Sequence, residues 1–414
     1  MLRVPIVQAR PGMRLAFPVY RRNQPDTVLL RAGFELDQVT IDRLEDMKIA
    51  EIWIEYPGLE FIGRHISPAI THQRVTLMRL LGETIERMHL ESTPHLAFNS
   101  YKSAMRSLVK TLRFDRSAAM MVNSLQEAEA PIQRHSSDVC YLALLMGLAM
   151  DSYLVMQRQR LNSARAKDVV NLGLAGMFHD IGMVQLPHTV VQRWESTGDE
   201  QDPAWRQHVR LGYELVREDL PAPASVAVLH HHQAFNGSGF PDAHGELSDD
   251  AGLAGEAIHV YARILAAADL YDRLRHPPGT APVPAVRALS RLQQPGVADR
   301  LDPRILEGLL VVVPPYPPGA IVRLNNGDPC VVVQWHPDEP CRPTVQVLGE
   351  DLLRLGPAGY PRHELKARPD LWITHIDDEC VEQDNFYTTR ARQYGLVPEG
   401  LPRMPPDADS GKAA

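Results

Sequence analysis

A chain of 414 residues, 44% hydrophobic and 23% charged, has the composition of a globular protein of two or three domains. Its formal net charge of −8 argues against a nucleic-acid or membrane-surface binder, so an anionic ligand needs a local positive site. Four scattered cysteines, Cys140, Cys330, Cys341 and Cys380, form no CxxC pair and fit reduced thiols in the cytoplasm.

The N-terminal "MLRVPIVQARPGM" lacks the apolar core of a signal peptide. Over residues 1–66, "RLAFPVY", "TVLLRAG" and "AEIWIEY" read as strands and "DQVTIDRLEDMK" as a helix, giving a small α+β module. Residues 67–129 turn helical: Leu77, Leu81, Ile85 and Met88 share one face, and Tyr101, Met105, Leu108 and Leu112 another. Such stripes read as the core of a helical connector; a signalling or dimer-forming helix pair is the second reading.

Residues 130–313 are helical throughout, with breakers at "QLPHTV", "LPAPAS" and "RHPPGTAPVP". Asp202 and Pro203 have the types of an N-cap and first helical residue. The most apolar run, Tyr141 to Met156, is too short to span a bilayer and is interrupted by Asp151, which predicts a buried helix. Over 314–396, "GAIVRL" and "CVVVQW" flank the hairpin signal "NNGD", and "PTVQVL" and "LWITHI" add strands, predicting a small barrel or sandwich-like unit. The tail, 397–414, is rich in Pro and polar residues and is expected to be disordered. The fold class expected is mainly α: an all-helical bundle with a small α+β module before it and a β-rich module after it.

The chemistry concentrates in the bundle. With 17 histidines, a single His-Asp pair is expected by chance, so His179-Asp180 alone proves little. The stretch "HHHQAFNGSGFPD", His230 to Asp242, adds histidines at a helix end and a shaped loop. His135, His208 and Asp269 complete a set of imidazoles and carboxylates of the kind that binds borderline divalent metals such as Fe, Mn, Ni or Zn. Adjacent helical residues point about 100° apart, so one His-Asp or His-His pair can serve two different metals. Taken singly, His135 reads as a hydrogen-bonded histidine and His208 as part of a solvated face. Asp269 is harder to dismiss, because an acid in the apolar helix "AAADLYD" is costly to bury unless paired or coordinating. His230 reads as structural.

"MFHDIG" followed by "HHQAFNGSGFPD" resembles the HD-GYP group of the HD phosphohydrolases, bacterial phosphodiesterases acting on cyclic di-GMP, whose motifs are HDIGK and HHExxDGxGYP. "RHSSDVCYLA", "WRQHVRLGYELV" and "ARILAAADLYDRL" are similar to further blocks of that family, in the same order, so the likeness covers about residues 130–310. Pro11-Gly12-Met13 and "PPGAIVRLNNGDPCVVV" resemble its accessory modules more weakly.

The resemblance implies metal ligands at His135, His179, Asp180, His208, His231, His232 and Asp269, with His179 and Asp180 catalytic. It implies two divalent ions, iron or manganese. It also implies a substrate or partner loop of Gln233, Asn236, Gly237, Gly239, Phe240 and Pro241. The implied reaction is hydrolysis of cyclic di-GMP to linear pGpG, or onward to GMP, in cytoplasmic second-messenger signalling. Implied partners are GGDEF-type or other signalling proteins at the loop, and a second copy of the chain.

The sequence departs from the pattern at several points. The family lysine of HDIGK is Met183, and the Arg-Pro-Tyr-Arg-like segment is "RLRHPPG", where Arg273 or Arg275 is the candidate stand-in. Gln233 replaces a Glu, and its amide oxygen is expected to accept an N–H from a ligand imidazole. Asn236 replaces Asp, and Phe240 replaces Tyr. Three-metal members carry a Glu where Pro131 stands, with Glu127 and Glu129 out of register, which predicts two metals. Two other readings stay open: a weak or inactive member acting as a cyclic di-GMP receptor or interaction module, and a hydrolase of another nucleotide.

Overall fold

The computed structural model describes residues 1–21, 24–47, 49, 51–90, 97–114, 131–242, 247, 252–349 and 360–385. The tail and the Glu127 and Glu129 positions lie outside the described residues. At the N-terminus, β1 (Leu2–Pro5) pairs antiparallel with β4 (Glu51–Ile54), and β2 (Val19–Arg21) with β3 (Gln24–Leu30). Between them, α1 (Gln38–Asp46) starts at Asp37, whose side chain accepts the Thr40 N–H at 2.7 Å. Strand β1 went unread in the sequence; its alternation nevertheless buries Leu2 and Val4 completely.

The bundle begins with α2 (Pro68–Leu90) and α3 (Phe98–Phe114). Their stripe residues Leu77, Leu81, Tyr101, Met105, Leu108 and Leu112 are buried in the main core. That core is built on α4 (Pro131–Ala149), α5 (Asp151–Gln157), α6 (Val170–Phe178) and α10 (Val260–Arg275). Around it lie α7 (His188–Thr197), α8 (His208–Val216), α9 (Ala222–His230), α11 (Ala285–Leu292) and α12 (Pro303–Val312). Asp202 caps the turn at Pro203–Arg206 with Pro203 in its first position. Among the described residues no single helix is long and apolar enough to cross a membrane; α4 and α5 together pass on composition but meet at 85°.

Strands β5 (Ile321–Leu324), β6 (Pro329–Gln334), β7 (Thr344–Val347), β8 (Arg362–Glu364), β9 (Ile373–Ile376) and β10 (Glu379–Cys380) form one antiparallel sheet in the order β10-β9-β5-β6-β7-β8. Its edges are the short strands β10 and β8, so among the described residues it is open rather than a closed barrel. Strand β6 is buried on both faces. Cys330 and Val332 join the bundle core, while Val331 and Val333 join the core of the N-terminal module. Arg3 locks that contact, reaching Glu51 at 3.0 Å and Asp377 at 2.8 Å. The two end modules thus share a core, a pairing across some 370 positions that no local pattern signals.

Candidate metal centre

The candidate residues sit where helices stop. His179 caps the C-terminus of α6 and Asp180 follows it. His208 opens α8, and His231 and His232 follow the end of α9. His135 lies in the second turn of α4, and Asp269 lies inside α10. Gly182 allows the crossing behind them: a Cβ there would meet the His208 carbonyl oxygen at 2.0 Å and the Gly212 nitrogen at 2.4 Å.

Three rings are held alike. Nδ1 of His179, His208 and His231 donates to the carbonyl three residues earlier, on Gly176, Trp205 and Val228, at 2.8, 2.7 and 2.7 Å. Each such bond selects the tautomer that leaves Nε2 bare and turned inward. His135 differs, because its Nδ1 lies 2.6 Å from the Asp272 carboxylate. On its other side, His135 Nε2 is 3.2 Å from His179 Nε2, 3.1 Å from Asp269 Oδ1 and 3.6 Å from Asp180 Oδ2. Asp180 spans the cluster: Oδ2 is 3.5 Å from His179 Nε2, while Oδ1 is 3.4 Å from both His208 Nε2 and His231 Nε2. His232 Nδ1 lies 4.0 Å from Asp269 Oδ2. All seven residues therefore meet in one place.

Charge in the cluster follows from burial and neighbours. Burial lowers the pKa of His179 and His208 to about 4, against the pull of Asp180, and holds His232 well below the ordinary value. These rings are neutral at physiological pH, as metal binding requires. For His135 burial also opposes protonation, but hydrogen bonds to Asp269 and Asp272 outweigh it and raise the pKa to about 10. Burial would raise both central carboxylates. Instead the imidazoles, His179 foremost, hold Asp180 well below the usual range, and the Arg273 guanidinium lowers Asp269.

The donor set fits metal. Asp180 Oδ1 and His232 Nε2 are buried without a hydrogen-bond partner, a costly state that an ion would relieve. Two groups of donors lie within 4.8 Å of one another: His135, His179 and Asp180, and Asp180, His208, His231 and His232. They share Asp180, the arrangement of a carboxylate bridging two ions. A third group, Asp138, Asp272 and His276, is already neutralised by arginines. Arg134 reaches Asp138 at 3.0 Å and Asp272 at 3.3 Å, and Arg74 reaches Asp138 at 2.5 Å. That network supports His135 from behind.

The glycine-rich loop closes one wall. Gly237 adopts φ +84°. Gly239 is needed for close approach, since a Cβ would lie 2.1 Å from the His232 carbonyl oxygen. Asn236 makes a turn by accepting from the Ser238 amide at 3.1 Å and its hydroxyl at 2.7 Å. Phe240, followed by Pro241, stacks on the His232 ring with centroids 4.7 Å apart. Gln233 does not orient an imidazole as expected; its amide nitrogen donates to the Pro241 carbonyl and ties the loop shut. Met183 lies in an apolar cluster with Trp205, Val209 and Phe240, and its own side chain brings no charge where the family has a lysine.

Arg273 stands at the cluster, its Nη2 2.5 Å from Asp269 Oδ2. Arg275 does not: two residues on, it is turned about 200° round the helix, beside Tyr271 and towards Asp377. His230, half-buried, stays outside the set, as expected of a structural residue. A cavity beside the cluster is lined by His231, His232, Gln233, Asp269, Arg273 and Arg300.

Reading the sequence missed Asp272, Trp205, Glu200 and Arg300. Asp272 carried a signal, standing three residues after Asp269 and so on the same helical face. Trp205 lies under His208 and His232, with centroids at 4.5 and 5.1 Å, and nothing local marked it. Glu200 and Arg300 come from turns brought together only by the fold.

Residues 149–305 match the HD domain family, and residues 321–379 match the KOW domain associated with HD domain. The chain is 27% identical over 376 residues to the cyclic di-GMP phosphodiesterase PA4108 of Pseudomonas aeruginosa, covering 83% of this chain and 84% of that protein. It is 32% identical over 111 residues to the cyclic di-GMP phosphodiesterase response regulator RpfG of Xanthomonas campestris, covering 26% of this chain and 27% of that one. A solved HDG"Y"P protein from Bdellovibrio bacteriovorus aligns at 18% identity with a TM-score of 0.44, covering 74% of this chain and 97% of that one. The part of the bundle from 149 to 305, which carries every cluster residue except His135, is thus similar to an HD domain. Both of these relatives are named cyclic di-GMP phosphodiesterases, and the motifs of this chain resemble the HD-GYP type with departures of their own.

Proposed function

We propose that this protein is a metal-dependent phosphodiesterase that hydrolyses cyclic di-GMP to linear pGpG, or onward to GMP. The observation that carries the reading is the convergence of His135, His179, Asp180, His208, His231, His232 and Asp269, with Asp180 presenting one oxygen to each side. His135, His179 and Asp180, with Asp269 beside them, would hold one ion; His208, His231 and His232, with Asp180 shared, would hold the other. Two divalent ions there, iron or manganese, supply an ionised water near neutral pH and positive charge against the phosphoryl oxygens.

The chain's own residues prepare that chemistry. The backbone carbonyls of Gly176, Trp205 and Val228 keep three imidazoles in one tautomer, so no reorganisation is needed at the moment of reaction. Burial of Trp205, Phe240 and Met183 keeps water off one side. Asp180 and His135 retain partial exposure, where substrate approaches. Arg273 places a cation at the centre in a chain of negative net charge. The exposed tip of the loop, Asn236 and Ser238, is the surface offered to a GGDEF-type or other signalling protein in the cytoplasm.

Met183 favours a second reading, a receptor that binds cyclic di-GMP without turnover. Purified protein assayed for metal content and for cyclic di-GMP turnover separates the two. Two ions per chain with turnover lost in Asp180→Ala supports the hydrolase; tight binding without turnover supports the receptor. Turnover of another nucleotide alone would reassign the substrate.

A further inference from the structure

Glu200 is held between two arginines, one of which, Arg273, also pairs with Asp269 of the cluster. Arg273 Nη1 lies 2.9 Å from Glu200 Oε1, and Arg300 Nη2 lies 3.4 Å from Glu200 Oε2. Each carboxylate oxygen thus faces a different guanidinium. Arg273 uses its other terminal nitrogen on Asp269, and its Nε is buried without a partner. Arg273 is only 18% exposed; the Arg300 side chain is 37% exposed, and its backbone is fixed where its carbonyl accepts the Phe235 N–H of the glycine-rich loop at 2.8 Å. Glu200 is also placed by its backbone, because Arg206 Nε donates to its carbonyl at 2.8 Å. Both arginines line the cavity together with His231, His232 and Asp269.

A carboxylate between two guanidiniums occupies the place a phosphate takes best. Planar forks bind phosphate through paired, charge-assisted bonds, and a phosphate offers more oxygens than a carboxylate. We propose that Arg273 and Arg300 form a phosphate subsite beside the metal cluster, for a nucleotide phosphate other than the one attacked, and that Glu200 is the counter-ion the ligand displaces. On arrival the Glu200 carboxylate leaves to solvent, for which it is already one-quarter exposed, and the phosphate takes both forks. In the free protein Glu200 relieves repulsion between the two cations and raises the threshold for stray anions. The subsite supplies positive charge that the Met183 side chain does not. It deepens the proposed hydrolase reading and rests on it for the identity of the nucleotide.

The test uses the full chain with Arg300→Met, Glu200→Gln and the double variant, measuring metal content, equilibrium binding of cyclic di-GMP and of GMP, and turnover. Arg300→Met is expected to weaken binding and raise KM about tenfold or more, the worth of one charge-assisted contact, with metal content and kcat little changed. Glu200→Gln is expected to tighten binding of both nucleotides, a direction that a merely structural Glu200 does not give. If Glu200→Gln weakens binding, or Arg300→Met leaves it unchanged, the subsite is wrong. Wild-type turnover with an unaffected KM in Arg300→Met removes the subsite and leaves the hydrolase. Tighter GMP binding in Glu200→Gln without any turnover removes the hydrolase and leaves the subsite.

Discussion

Beyond the backbone carbonyls that fix His179, His208 and His231 alike, the two halves of the centre support their imidazoles by different physics. Around His135 the support is ionic: Asp272 at 2.6 Å, itself held by Arg134 at 3.3 Å and His276 at 2.9 Å. Around His208 and His232 it is packing: Trp205 lies beneath, stacked on Trp194 at 4.0 Å, and Phe240 lies across His232. A ring oriented by a carboxylate depends on charge, whereas a ring wedged between aromatics depends on volume. Asp180 belongs to both halves, so a single site can be made to fail in three distinguishable ways.

The largest effect is expected from Asp180→Ala, which removes the group shared by the halves. Hydrolysis should fall below detection and bound metal should drop from two ions; two retained ions would mean that Asp180 does not bridge. Next comes Trp205→Ala, which empties a fully buried site and should cost about 3–5 kcal/mol of stability. Thermal melting measures the cost, and metal titration should show His208, His231 and His232 weakened while the His135 side keeps its affinity. Equal weakening of both sides would erase the distinction between ionic and packed halves. Asp272→Asn keeps the shape and removes the charge behind His135. Metal affinity on that side should fall about 10- to 100-fold, and the melting temperature should fall as well, since a buried carboxylate paired with Arg134 and His276 is lost.

The same contrast explains what could be read from the chain alone. Much of the cluster was legible because adjacent pairs, His179-Asp180 and His231-His232, and the acid inside an apolar helix are local signals. So were most helices and four strands of the sheet, whose period and turn residues are local too. Asp272 was legible in principle, one helical turn beyond Asp269. Trp205 was not, because an aromatic in an amphipathic helix announces burial without saying what it is buried against. Glu200 and Arg300 stand 100 residues apart, and their meeting depends on the packing of turns rather than on either neighbourhood. Strands β8 and β10, three and two residues long, are too short for an alternation to show.

Phe240→Leu sharpens the contrast by the smallest change. The ring stacks on His232 at 21° between planes and also meets Trp205 at 5.9 Å. Leucine keeps most of the apolar area but loses the aromatic contact, worth about 0.5–1.5 kcal/mol beyond burial. Gln233 and Gly239 still fix the loop backbone, through the Pro241 carbonyl and the close approach to His232, so the wall should stay in place. A small fall in melting temperature should therefore come with a loss of metal affinity of a few-fold, confined to the His208–His232 side. If the loss falls equally on the His135 side, the aromatic wedge acts through the whole bundle rather than through the ring it covers.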